Sequence, residues 1–103
     1  MGAIYLLAAD VRIGVDGPFK MGLPEVTIGM TMPGFGRVLS MARLSPTHRE
    51  RAVCCAEIFA PAEAQAAGFI DRLTVAESLE ESLVGVSQTL LTLDATAHKE
   101  TKL

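Results

Sequence analysis

The chain has 103 residues, 50% of them hydrophobic and 20% charged, with a net charge of −3. This length suits one small domain or part of a larger one, and the acidic balance with scattered Lys and Arg offers no basic surface for nucleic acid. The apolar opening before Asp10 is too short to cross a membrane and lacks the basic start of a secretory signal. So many apolar residues in a small chain predict that some apolar surface contacts another chain or another segment.

The first half of the chain alternates short apolar segments with glycine and proline. In chain order we predict a buried helix over 1–9, a strand over 11–15, a turn at 16–18, extended pieces over 19–22 and 26–29, and a helix over 34–44. Asp10 closes the first helix, and Gly17 with Pro18 is typical of a turn. Pro33 ends the extended part.

The second half reads as mainly helical. In chain order we predict a helix from Pro46 to Phe59 capped by the Ser45 hydroxyl, a helix over 61–67 ended by Gly68, a strand over 69–74, a helix with an apolar stripe at Leu79, Leu83, Val86 and Leu90, and a last helix beginning at Ala95. Thr74 and Glu77 have the spacing of a capping box. We therefore interpret the chain as one partial domain, with mixed helices and extended pieces over 1–44 and a mainly helical part over 45–103.

The two cysteines, Cys54 and Cys55, are adjacent within a predicted helix. Neighbours on a helix point about 100° apart and do not readily form a disulfide. Buried free thiols in a reducing, cytoplasmic environment are therefore expected. Neither His nor a second Cys pair stands at metal-ligand spacing, which favours packing over metal or redox chemistry.

One acid, Glu25, stands alone in the stretch FKMGLPEVTIGMTMPGFGR, residues 19–37. A buried carboxylate costs several kcal/mol as an ion unless it finds partners or takes up a proton, and such a group suits proton transfer near neutral pH. The alternative is that Glu25 lies at the edge of a strand with its carboxylate in water. Pro24 places it at an irregular point of the backbone in either case.

The order of several motifs resembles the second half of the enoyl-CoA hydratase/isomerase (crotonase) superfamily. The matching pieces are Met21-Gly22-Leu23-Pro24-Glu25, Gly29, Pro33-Gly34-Phe35-Gly36, Ala62-Glu63-Ala64 and Gly68-Phe69-Ile70. The resemblance covers nearly the whole chain. It implies an α/β fold, a crotonase-like ββα spiral present only in its last part, followed by helices that pack on neighbouring subunits.

The resemblance also implies a site. Glu25 would be the catalytic carboxylate, and backbone donors for a thioester oxyanion or substrate contacts would lie at Met1, Gly2, Pro33 and Gly34. Preorganised donors of this kind lower a barrier by about 3–4 kcal/mol each. Lys102 matches a lysine near the coenzyme A end of the site, although a solvated helix face is the alternative for it.

The family's hydratases carry a second glutamate where this chain has Ile4. A single carboxylate suits double-bond isomerisation, whereas water addition normally uses two. The resemblance thus favours an acyl-CoA isomerase, with a hydratase or a truncated non-catalytic remnant as alternatives. It also implies that the family's first oxyanion donor lies upstream of this sequence, so the chain alone is expected to be inactive. The resemblance implies a trimer or hexamer and no cofactor apart from the coenzyme A of the substrate, while charge, segment length and ligand spacing argue against nucleic acid, membrane and metal.

The remaining candidates have two interpretations each. His48, beside Arg49 and Arg51, reads as a solvated polar turn rather than a catalytic group, and His98 lies close to Lys99 and Lys102. The apolar side chains that would line an acyl pocket or simply fill the core are Met30, Met32 and Phe35.

Overall fold

The computed structural model of the chain describes residues 2–102. The α-helices are α1 (Gly2–Leu7), α2 (Gly34–Arg43), α3 (Pro46–Val53), α4 (Pro61–Ala67), α5 (Leu79–Leu91) and α6 (Ala95–Lys102). The strands are β1 (Ile13–Val15), β2 (Met21–Gly22), β3 (Ile58–Phe59) and β4 (Arg72–Thr74). Two 3₁₀ helices cover Pro24–Ile28 and Ala76–Ser78.

Two short sheets join segments that are far apart in the sequence. β1 pairs in parallel with β4, with Ile13 opposite Arg72. β2 pairs antiparallel with β3, with Met21 opposite Phe59. Both sheets connect the first half of the chain to the second, so the two halves share one core.

The core lies between these sheets and the helices. Its side chains are Ile4, Leu7, Leu23, Met32, Leu44, Ala52, Phe59, Ala64, Ala67, Phe69 and Ile70. The rings of Phe59 and Phe69 are 5.8 Å apart between centroids and tilted, an arrangement that aromatic pairs favour. Helix α1 packs on α2, and α2 packs on α3.

Several predicted elements are confirmed. The strand at Ile13–Val15, the helix α2 and the final helix α6 form where the pattern indicated. Gly17 has φ 149°, in agreement with the predicted turn. Gly68 ends α4 in the left-handed conformation with φ 104°, as expected of a glycine after the last helical residue.

The extended piece predicted over 26–29 is wrong, because residues 24–28 form a 3₁₀ helix. Pro24 fixes φ for its first turn, and Gly29 closes it at φ 78°. The first helix is also less enclosed than predicted, because Tyr5 is 66% exposed while Ile4 and Leu7 are fully buried.

Helix α3 ends at Val53 rather than at Phe59. Ala56 takes a positive φ of 52°, which redirects the chain so that Ile58 and Phe59 can pair with β2. Cys54 and Cys55 are free, as predicted, but exposed rather than buried, because they follow the end of the helix. The Ser45 hydroxyl does not cap α3; its Oγ lies 2.6 Å from Nδ1 of His48.

The start of α5 also differs from the prediction. Thr74 belongs to β4 and its hydroxyl donates to the Val75 carbonyl at 3.3 Å, so no capping box forms. Leu83, a member of the predicted apolar stripe, is 49% exposed. Within residues 2–102 no helix combines the length and apolar character that a membrane crossing requires.

Candidate active site

The 3₁₀ helix Pro24–Ile28 presents the candidate catalytic acid. Leu23, fully buried, anchors the chain just before it. The turn is closed by two backbone hydrogen bonds, from Gly29 N–H to the Val26 carbonyl at 3.2 Å and from Met30 N–H to the Glu25 carbonyl at 2.8 Å. Glycine tolerates the left-handed conformation that this closure requires. The backbone around Glu25 is therefore fixed by local bonds.

The side chain of Glu25 is buried, with 3% of its surface exposed. The alternative of a strand-edge Glu that reaches water is wrong. A carboxylate removed from bulk solvent can exchange a proton with a bound substrate without competition from water. The structure thus gives Glu25 the environment that a proton-transferring group needs.

Ile4 occupies the place that the resemblance gives to a second acid. It is fully buried beside the start of α2. A Cβ added at Gly36 would lie 3.3 Å from Cδ1 of Ile4 and 2.7 Å from Sδ of Met32. Glycine at position 36 therefore permits the close approach of α1 and α2, and the contact on α1 is apolar.

The predicted oxyanion and substrate-binding positions lie at two helix starts. Met1 lies outside the described residues, and Gly2 is the first residue of α1. Pro33 precedes α2 and has no N–H to donate, but its carbonyl accepts a hydrogen bond from Arg37 N–H at 3.0 Å. Gly34, the first residue of α2, is exposed. The roles of these four residues stay predictions.

Lys102, the predicted coenzyme A contact, is engaged within the chain. Its Nζ lies 2.8 Å from Oδ1 of Asp10, and Nε2 of His98 lies 3.0 Å from the other carboxylate oxygen. The hydrogen bond from Lys102, followed by that from His98, holds the pKa of Asp10 below its ordinary value of 3.8. This contact connects α6 to the segment that follows α1. A coenzyme A phosphate bound by Lys102 would have to share its ammonium group with Asp10.

A cavity of about 400 Å³ lies beside the 3₁₀ helix. Val26, Met30 and Met32 contribute apolar walls to it, together with Arg37 and Cys54. This volume falls in the range of small-molecule sites, about 300–1,000 Å³. Two of the residues predicted for an acyl pocket, Met30 and Met32, line the cavity, although Met32 is also part of the core.

Sequence reasoning missed Arg37 and Cys54 as lining residues. Phe35, the third residue predicted for an acyl pocket, is 50% exposed and is not among the residues that line this cavity. His48 is half-buried, with its ring edge-on to Phe59 at 6.0 Å, so it is not simply a solvated turn residue. Among residues 2–102, no three His, Cys, Asp or Glu side chains group as metal ligands would.

Comparisons with known proteins agree with this geometry, although no family model matches the chain. An enoyl-CoA hydratase/isomerase family protein from Pseudomonas syringae superposes with a TM-score of 0.94 at 47% identity, over 99% of this chain and 44% of that one. An enoyl-CoA hydratase from Mycobacterium ulcerans gives a TM-score of 0.89 at 31% identity, with the same shares. The enoyl-CoA isomerase of Mycobacterium tuberculosis gives a TM-score of 0.90 at 30% identity, over 99% of this chain and 45% of that one.

The chain belongs to the enoyl-CoA hydratase/isomerase superfamily. The fatty acid oxidation complex subunit alpha of Colwellia psychrerythraea is a further relative, 31% identical over 105 residues, which are 99% of this chain and 14% of that protein. The predicted crotonase-like α/β fold with a helical later part is confirmed. The chain spans less than half the length of each of these four relatives.

Proposed function

We propose that this chain provides the proton-transferring carboxylate of an acyl-CoA enzyme that moves a carbon–carbon double bond along the acyl chain. The single observation that carries the proposal is the burial of Glu25 on its 3₁₀ helix, with 3% of its surface exposed. The substrate would be a 3-enoyl thioester of coenzyme A, and no further cofactor is needed for the reaction.

In the proposed reaction Glu25 takes a proton from C2 of the 3-enoyl thioester. The electron pair of the broken C–H bond forms a double bond between C1 and C2, and negative charge moves to the thioester oxygen. Backbone N–H groups, which we expect at Met1 and Gly2, would stabilise that oxygen. Glu25 then returns the proton to C4, which leaves the double bond between C2 and C3 and restores the carboxylate.

Ile4 supports isomerisation over hydration. Water addition normally needs a second carboxylate to position the water, and this buried apolar side chain cannot do so. A hydratase is the second candidate, because the relative named as a hydratase and the one named as an isomerase are equally similar to the chain, at 31% and 30% identity. We also propose a homo-oligomer, a trimer or hexamer, since large apolar side chains such as Ile28, Val38 and Leu91 are exposed.

The test is Glu25→Gln, which keeps the shape of the side chain and removes the proton-accepting oxygen. Isomerisation of 3-hexenoyl-CoA should fall by about 10²–10⁴-fold, with acyl-CoA affinity nearly unchanged. Glu63→Gln, an exposed substitution in the first turn of α4, is the matched control and should leave turnover unaltered. A Glu25→Gln variant that isomerises at the parent rate would refute the role of Glu25.

Two further measurements separate the alternatives. Hydration of crotonyl-CoA, assayed in the same preparation, should be slower than isomerisation; the reverse order would identify a hydratase. Calorimetry with an acyl-CoA distinguishes an enzyme from a non-catalytic subunit, because the latter should bind none.

A further inference from the structure

Two cavities in the structure share one wall. The cavity beside the 3₁₀ helix and a second one of about 360 Å³ between α2 and α3 are both lined by Arg37, Val53 and Cys54. We call the two together the Arg37 groove. It begins next to the residue that follows Glu25, namely Val26, and continues to Arg49 and Glu50.

The two ends of the Arg37 groove differ in chemistry. Near the 3₁₀ helix most of its side chains are apolar, apart from Thr31 and Arg37, and the flexible Met30 and Met32 adapt to a hydrocarbon chain. Between α2 and α3 it contains two guanidinium groups, those of Arg37 and Arg49, and one carboxylate, that of Glu50. The far end of the groove therefore carries an excess of one positive charge.

The two guanidinium groups have donors to spare. In the described part of the chain Arg37 makes no side-chain hydrogen bond or ion pair. Arg49 uses Nη2 to donate to the carbonyls of Met41 at 2.9 Å and Leu44 at 3.4 Å. Its Nε, in contrast, is buried with no acceptor among residues 2–102. Because this Nε is almost fully enclosed, the donors that a ligand in the groove can reach are those of the exposed Arg37 guanidinium.

We infer that the Arg37 groove binds an acyl chain that ends in a carboxylate, so that the substrate is the coenzyme A thioester of a dicarboxylic acid. This inference rests on the proposed function, which places the thioester at Glu25. The methylene groups would lie along the apolar end, and the terminal carboxylate would accept hydrogen bonds from Arg37 and Arg49. Guanidinium groups bind carboxylates through paired, charge-assisted hydrogen bonds, which makes arginine the residue suited to this task.

The experiment compares decanoyl-CoA with the mono-coenzyme A thioester of decanedioic acid in calorimetric titrations of the whole chain. The two ligands differ only in the methyl or carboxylate at the far end. We expect the parent chain to bind the carboxylate-ended thioester about tenfold more tightly. Arg37→Ala should abolish most of that preference, because it removes one of the two guanidinium groups that line the far end of the groove.

Arg51→Ala is the matched control. Arg51 lies on the same helix as Arg49 but pairs with Glu57 at 3.3 Å and lines neither cavity. Its substitution should preserve the preference, and Glu50→Gln should increase it by removing the opposing charge. Equal affinity of the parent for both thioesters would overturn the inference and leave the proposed function intact. Binding of neither thioester would overturn both, and loss of the preference in Arg51→Ala to the same extent would overturn the assignment to the groove.

Discussion

The guanidinium of Arg12 holds the carboxylate of Asp71 in a two-pronged contact, with Nη2 3.0 Å from Oδ1 and Nε 3.2 Å from Oδ2. The backbone N–H of Arg12 donates to the same Oδ2 at 2.9 Å, and Nη1 donates to the Gly68 carbonyl at 2.8 Å. Arg12 is 5% exposed, whereas Asp71 is 39% exposed. A buried cation thus depends on one half-buried anion for its neutralisation.

Asp71→Asn should destabilise the fold by about 1–3 kcal/mol, because it leaves buried donors of Arg12 without a charged acceptor. The midpoint of urea unfolding measures this change. Asp16→Asn is the control, since Asp16 is exposed and its carboxylate accepts from the neighbouring Gly17 N–H; it should stay within about 0.5 kcal/mol of the parent. An equal loss in both variants would contradict the importance of the Arg12 contact.

The stabilisation from Asp71 should depend on pH. Partial burial acts to raise the pKa of Asp71, but the hydrogen bonds from Arg12 outweigh it and hold the pKa below its ordinary value of 3.8. The unfolded chain therefore takes up this proton more readily than the folded chain. The contribution is present in full well above pH 3.8 and is lost as the pH falls through the lower folded-state pKa.

Urea unfolding of the parent and of Asp71→Asn at pH 7 and pH 3 tests this dependence. We expect the stability gap between them to shrink at pH 3, since position 71 cannot titrate in the variant. A gap of the same size at both pH values would show that the ion pair does not act through the charge of Asp71.

Gly68→Ala should destabilise the chain by about 1–3 kcal/mol from its strained φ alone. The added Cβ would also lie 2.5 Å from the carbonyl oxygen of Arg43, which is backbone and cannot easily move away. Gly85→Ala is the opposite control: this glycine lies within α5 with nothing within 4 Å of the added Cβ, so the variant should gain about 0.5–1 kcal/mol. Thermal unfolding of both variants tests whether stability falls in Gly68→Ala and rises in Gly85→Ala. A stabilised Gly68→Ala would refute the argument.

Phe59→Ala should cost about 3–5 kcal/mol, because the ring is 1% exposed and packs against Phe69 and His48. Ile58→Ala, one residue earlier in β3 and 46% exposed, should cost only about 1 kcal/mol. Denaturant midpoints of the pair report the difference. A larger loss for Ile58→Ala than for Phe59→Ala would mean that β3 has its faces reversed.

The elements that sequence reasoning predicted correctly have local signals. Pro61 begins α4 and Gly68 ends it, and both signals act within a few residues. The end of α3 has no such signal, since residues 47–59 contain neither glycine nor proline. It is set instead by the pairing of β3 with β2, which a single sequence does not reveal. The alternation around Val26 likewise resembles a strand, while Pro24 and Gly29 together form a 3₁₀ helix.

The residues of the candidate site also divide into those with a local sequence signal and those that only tertiary packing brings together. Glu25 stands out in the sequence because it is the one acid in a long apolar stretch. The family motif around it adds the prediction that it is the catalytic carboxylate. Its burial depends on tertiary packing that no local pattern encodes. Arg37 and Arg49 resemble ordinary surface cations in the sequence; only the packing of α2 against α3 brings them to one cavity.

The parallel pairing of Ile13 with Arg72 has a consequence for how the chain matures during synthesis. Strand β1 gains its strand partner only once Thr74 has left the ribosome, so its pairing edge stays open until then. During that interval residues 11–15 form an extended apolar edge that a chaperone for unfolded peptides can bind.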